Sequence, residues 1–242
     1  RLGAAPGGLD ETEPNESEPN ALVPGQPFNG MLLASDDDLF SFSLEADSAL
    51  SLELNLPGDT GAELALHRID DAGRHLLWTR KPAGGGVDSA PLHLQAGDYR
   101  LLLERTGRDT QAAPYTLQLA AGKTPAPNQE AEPNDTPASA QPLSEALRVS
   151  GSSAADDYDV YRFSISGEQA GHLWRVFTVD AKRITLSDND GTITTVNATG
   201  RRSMADALAL EPGEYRVEVR AEGDYLLRVM DLGPRPSNYE GE

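Results

Sequence analysis

The 242-residue chain carries 39 acidic against 20 basic side chains, and its net charge of −19 repels phosphate backbones and anionic lipid, so neither nucleic acid nor a membrane surface is expected as a partner. It has no cysteine, which excludes disulfides, thiolate catalysis and cysteine-bound zinc. An apolar share of 38% with 17 prolines and 23 glycines suits a loop-rich, folded β protein, and no run of 18 apolar residues is present to enter a bilayer.

In chain order, the opening RLGAAPGG has neither an initiating methionine nor a signal-peptide pattern, and is expected to belong to a processed or larger parent chain. ETEPNES follows at 11–17, an acidic phrase around a proline. SDDDLFSFSL (35–44) and the run Leu50, Leu52, Leu54, Leu56 alternate apolar with polar residues, the period-two pattern of strands with one buried face. IDDAG (69–73) reads as a hairpin turn, because Asp and Gly accept the positive φ of a tight return. QAGDY (95–99) turns into a last hairpin that closes on YTLQLA (115–120). AGKTPAPNQE (121–130) is a short, stiff, proline-rich linker.

The same order then returns. EAEPNDT (130–136) repeats the opening phrase, with Glu132 placed 119 positions after Glu13. DYDVYRFSI (157–165) sets Asp157 with Asp36, Asp159 with Asp38 and Tyr161 with Phe40. ITLSDNDGTI (184–193) sets Asp188 against Asp70, LALEPGEYRVEV (208–219) sets Tyr215 against Tyr99, and YLLRVM (225–230) closes the copy. Matching blocks in one order indicate duplication. Short strands at this spacing within about 110 residues predict an antiparallel two-sheet sandwich. The expected fold is therefore all-β, with one sandwich over 9–121 and a second over 128–232.

The repeated phrase concentrates oxygen ligands. In an extended segment, residues two apart share a side at roughly 6.5–7 Å, so Glu130, Glu132 and Asn134 converge and Asp135 follows at the bend. Copy one offers Glu11, Glu13, Asn15 and Glu16. Asp157 and Asp159, with Asp36 and Asp38 in copy one, precede the aromatic strand, where they would complete the shell or hold a neighbouring ion. Crowded carboxylates repel one another unless a cation sits among them. A donor set without His or Cys suits Ca2+, which takes about six to eight oxygens at roughly 2.3–2.6 Å, over zinc or the stricter octahedron of magnesium. The alternative is that Glu-Pro-Asn caps a turn and the aspartates are solvated loop charges.

EPND, then DxDxYxF some 25 positions later, then L-x-x-G-x-Y and a closing tyrosine strand, resembles the bacterial pre-peptidase C-terminal domain. It is also similar to the collagen-binding domains of bacterial collagenases. The likeness covers 9–120 and 128–232 and implies tandem jelly-roll-like sandwiches on a secreted bacterial protein. It implies calcium ligands at Glu130, Glu132, Asn134 and Asp135, and at Glu11, Glu13 and Asn15, where Glu16 replaces the aspartate of the pattern. Copy one also departs at Asp38-Leu39-Phe40, where the family usually has tyrosine.

No G-x-S-x-G or H-E-x-x-H motif is present, and none of His67, His75, His93 and His172 is matched by a histidine in the other copy, so no enzyme is expected. Trp78 and Trp174 lie in apolar strand contexts, either as core residues or as a platform for a sugar or polypeptide ligand. The expected protein is a non-catalytic, calcium-stabilised accessory module, secreted, periplasmic or at the bacterial cell surface. It would recruit an extracellular or cell-envelope polymer or a partner protein. The alternative is a structural spacer or folding aid with no ligand but calcium.

Overall fold

The computed structural model describes residues 8–13, 15, 18–33, 37–58, 60–82, 84–106, 111–153 and 157–236. The chain divides into two compact units, Arg1–Thr124 and Pro125–Glu242.

In the first unit the alternating runs become strands: β1 (Leu9–Asp10), β2 (Asn20–Ala21), β3 (Phe28–Leu32), β4 (Asp37–Leu44), β5 (Ser48–Leu56), β6 (Gly61–Asp70), β7 (Gly73–Arg80), β8 (Gly86–Leu94), β9 (Gly97–Thr106) and β10 (Ala113–Ala121). They form two five-stranded sheets, ordered β1-β3-β10-β5-β8 and β2-β4-β9-β6-β7. Each sheet begins with a two-residue parallel edge strand, β1 on β3 and β2 on β4. The even-numbered leucines 50 to 56 of β5 share one core with Phe40, Phe42, Leu64, Leu66, Leu101 and Leu103 of the other sheet. The IDDAG turn is a hairpin in which Asp70 stands opposite Gly73, whose φ of 125° side chains rarely adopt.

The second unit comprises β11 (Gln141–Pro142), β12 (Arg148–Ser153), β13 (Asp159–Ile165), β14 (His172–Ser187), β15 (Thr192–Asn197), β16 (Arg202–Ala209) and β17 (Gly213–Pro234). Its seven strands form one hydrogen-bonded set, because β14 and β17 pair with each other over nearly their full length. Register shifts around Ala181, with Asp180 at φ 65° and Gly223 at φ 99°, break the ladder into two layers. One layer runs β12, the end of β17, the start of β14 and β16. The other runs β11, β13, the start of β17, the end of β14 and β15. These are the strand orders of the first unit, with β14 standing for β5 and β6 together and β17 for β9 and β10. The only helical piece among the described residues is the short 3-10 turn Gly167–Gln169.

Both units carry the same tyrosine device at the last turn. The Tyr99 hydroxyl donates to the Gln95 carbonyl and the Tyr215 hydroxyl to the Glu211 carbonyl, each at 2.6 Å. Each ring stacks on a phenylalanine of the neighbouring strand, Phe42 and Phe163 respectively.

The platform reading of the tryptophans is corrected here. Trp78 is 2% exposed and Trp174 fully buried, each inside its own unit's core. Strand alternation is the cause: Trp174 shares its inward face with Val176, and Trp78 pairs with the buried Leu66. Tyr158 and Phe177 are half-buried, and every other described aromatic side chain is buried.

Candidate metal centre

The second unit builds its acidic cluster by pinning the repeated phrase to the edge of β12. Gln129 bridges Ser150 in parallel, the Glu130 N–H donates to the Ser150 carbonyl, and the Ser152 N–H donates to Glu130 Oε2 at 2.8 Å. The phrase then bends. The Asn134 N–H returns to Glu132 Oε2 at 3.0 Å, and the Glu132–Pro133 peptide is cis. The Asn134 carbonyl accepts from the Val160 N–H at 2.8 Å, which docks the phrase against the start of β13. As a result Glu130, Glu132 and Asp159 bring carboxylate oxygens within 4.8 Å of one another. Glu132 belongs also to a second group with Asp135 and Asp157, at the same closeness.

The first unit repeats the construction. The Glu11 N–H donates to the Asn29 carbonyl at 3.0 Å, and the Met31 N–H to Glu11 Oε2 at 2.8 Å. Glu11, Glu13 and Asp38 come within 4.8 Å of one another. One atom lies among them: Asn15 Nδ2 donates to Glu13 at 2.8 Å, to Asp38 at 3.3 Å and to Glu11 at 3.4 Å. Glu16 and Asp36, the remaining expected ligands of this copy, lie outside the described residues.

The clusters are partly enclosed: Glu13 is exposed, and Glu11, Glu130, Glu132, Asp135 and Asp157 are half-buried. Asn15, Asp38, Asn134 and Asp159 are all fully buried. Asp38 Oδ2, Asn134 Oδ1 and both carboxylate oxygens of Asp159 make no hydrogen bond. Burial, then the charge of Glu130, pushes the Asp159 carboxyl up to about 10. Burial, then the neighbouring Glu11, pushes Asp38 up to about 8. Glu132 is raised well above the usual carboxylate range by desolvation and then by the charges of Asp135, Asp157, Glu130 and Asp159. A buried carboxylate with neither donor nor countercharge is costly. At an effective dielectric near 20, two carboxylate charges about 5 Å apart repel by about 3 kcal/mol. Oxygens bound to one Ca2+ at roughly 2.3–2.6 Å stand at most about 5 Å apart, so the spacing of each group fits a single ion of that size.

Sequence reasoning missed the tyrosines that hold the central glutamates. Glu130 Oε1 accepts from the hydroxyls of both Tyr161 and Tyr225, each at 3.1 Å. In the first unit Tyr115 donates to Glu11 Oε1 at 3.3 Å, and Phe40 occupies the place of Tyr161. Gly151 and Gly30 make room for these rings: a Cβ would stand 2.5 Å from the Tyr225 hydroxyl and 2.3 Å from that of Tyr115. The available signal is the recurrence of a tyrosine at the head of each closing strand, Tyr115 and Tyr225.

No family model and no curated protein matches the chain. Among solved structures it is similar to the pre-peptidase C-terminal domain of a collagenase from Bacillus anthracis, at 18% identity and a TM-score of 0.34, over 43% of this chain and 99% of that one. It is also similar to the PBSX exported protein XepA, at 12% identity and a TM-score of 0.32, over 84% of each chain. Tripeptidyl peptidase 2 matches at 11% identity and a TM-score of 0.35, over 90% of this chain and 24% of that one.

Proposed function

We propose that each unit is a non-catalytic β-sandwich stabilised by calcium, and that the pair forms an accessory binding module of a secreted or periplasmic bacterial protein. The observation that carries this reading is Asp159, whose two buried oxygens lack any hydrogen bond while Glu130 and Glu132 crowd against them. Glu130, Glu132 and Asp159 would hold one ion, with Asn134 Oδ1 as a neutral donor. Glu132, Asp135 and Asp157 would take a second. In the first unit Glu11, Glu13 and Asp38 would hold one, at the point where Asn15 Nδ2 now supplies the positive edge. The ion binds only the folded form, because it ties the phrase to a strand start more than twenty residues away. Weak extracellular calcium sites, with dissociation constants of about 10⁻⁴–10⁻³ M, fill outside a cell and empty inside it, which supports a location beyond the cytoplasm.

Thermal melts test the reading directly. Ca2+ should raise Tm and EDTA reverse the rise, with stabilisation of about 2.7 kcal/mol when free ion is 100 times the dissociation constant. Asp159→Asn should melt higher than the parent in EDTA at neutral pH, because the amide removes the cost of keeping a buried carboxyl protonated, and should lose most of the calcium-induced rise of its unit. A melt indifferent to both calcium and EDTA removes the ion from the account. The absence of exposed aromatics among the described residues favours a protein partner over a stacked sugar. Binding arrays of envelope polymers and proteins separate a recruiting module from a spacer, which would bind none of them.

A further inference from the structure

The register of the second unit aligns outward side chains in rows across β12, β17, β14 and β16, with strands about 4.8 Å apart. Arg148 stands opposite Arg228, Arg228 opposite Phe177, and Phe177 opposite Met204. The next row runs Ser150, Leu226, Val179 and Arg202. The alternate residues Val149, Leu227, Thr178 and Ser203 are buried, so these rows point away from the core. The three arginines are exposed, Met204 is 49% exposed, and Phe177, Val179 and Leu226 form a half-covered apolar strip between them.

Stability does not explain this face. Like charges directly opposite on neighbouring strands are destabilising, yet Arg148 faces Arg228. Among the described residues none of Arg148, Arg202 and Arg228 forms an ion pair or a side-chain hydrogen bond, in a chain with 39 acids. Of the acids on the face, Asp206 is held by Arg175 through bonds of 2.7 and 2.8 Å, and Asp224 lies towards the corner, opposite Ser152. Nor does the scaffold require arginines there. The same layer of the first unit presents Asn29, Thr116, Asn55 and Val87 in one outward row and Gln118, Glu53 and Ser89 in the next.

We propose that this face of the second unit is a docking surface for an acidic polypeptide segment that also carries apolar side chains. The arginines would grip its carboxylates, for which the planar guanidinium offers a paired hydrogen-bond geometry. The strip of Phe177, Val179, Leu226 and Met204 would cover its apolar residues, a combination that suits a peptide better than a hydrated polysaccharide. On a molecule of charge −19, this local reversal of sign directs an acidic partner to one place. The inference supplies a partner class for the accessory-module reading and uses none of the proposed calcium ligands.

The test uses the full chain in saturating calcium and follows the fluorescence anisotropy of a labelled twelve-residue peptide alternating Glu and Leu. Binding should tighten at low salt and weaken about tenfold or more for the Gln-Leu version of the peptide. The double variant Arg148→Glu, Arg228→Glu should lose binding to a similar degree, and Phe177→Ser should weaken it without altering charge. Arg148→Gln should melt at or above the parent temperature while binding more weakly, which separates lost docking from lost folding. All variants should keep the full calcium-induced rise in Tm, so failure here and failure of the calcium reading are distinguishable. Undiminished binding by the charge-reversed variant, or no binding of the Glu-Leu peptide by the parent, overturns the proposal. Tighter binding to heparin or phosphatidylserine vesicles through the same arginines overturns it too, by giving the face another polyanion.

Discussion

With the Asp159 carboxyl pushed up to about 10 and Asp38 to about 8, the calcium-free protein keeps both protonated through neutral pH. An unfolded aspartate ionises near pH 4, so above that the folded form holds protons that the unfolded chain has released. The contribution of these groups to stability is therefore full below about pH 4 and is lost as pH rises towards the folded values. Calcium bound as proposed would invert the trend, because a metal ion takes carboxylates in their ionised form and expels their protons. Melts in EDTA should fall between pH 5 and 9 while the calcium-induced rise grows; two parallel pH profiles would contradict the assignment. The glycine beneath Tyr225 offers a neutral probe of the same site. Gly151→Ala places a Cβ 2.5 Å from the tyrosine hydroxyl and 3.0 Å from Glu130 Oε1, so it should cost about 1–3 kcal/mol and weaken calcium binding. Gly213→Ala, which meets nothing within 4 Å, is the control and should do neither.

At the scale of strands, period-two alternation is a local signal, and it located the buried faces of β4, β5, β13 and β17. Turn chemistry was equally local, as IDDAG shows. What could not be read locally is how far a strand continues. The runs 213–219 and 225–230 look like two strands separated by charge and glycine, yet Ala221 still pairs with Ala181 and Gly223 with Ser153, so one strand carries both. The acidic phrase was legible as a cluster of carboxylates because its members are close in sequence. Its tyrosine support was not, since Tyr225 reaches Glu130 across 95 positions through a strand pairing that no short motif encodes. The tryptophans were ambiguous for a related reason: an apolar strand context does not tell which of two faces is inward. Gly223→Ala tests the corner of β17. At φ 99° a side chain is strained, so the change should cost about 1 kcal/mol by chemical denaturation, with the calcium effect preserved.

Across the whole chain, each unit encloses its own apolar cluster, so each has what a separate fold requires. Fragments 1–124 and 125–242 should each melt cooperatively, and each should be stabilised by calcium; a fragment that stays unfolded in excess calcium would show that the units depend on one another. The duplication has preserved strand order and acidic phrase while the outer face of one layer has diverged, from amides and hydroxyls to arginines. The units differ also in how their layers are joined. In the first, the two sheets are distinct ladders, so amides of one can open to solvent while the other stays closed. In the second, β14 and β17 thread both layers, and peeling either layer pulls on the same two strands. Deuterium should therefore enter the second unit as a single late-exchanging block, whereas the first should show two populations of protected amides.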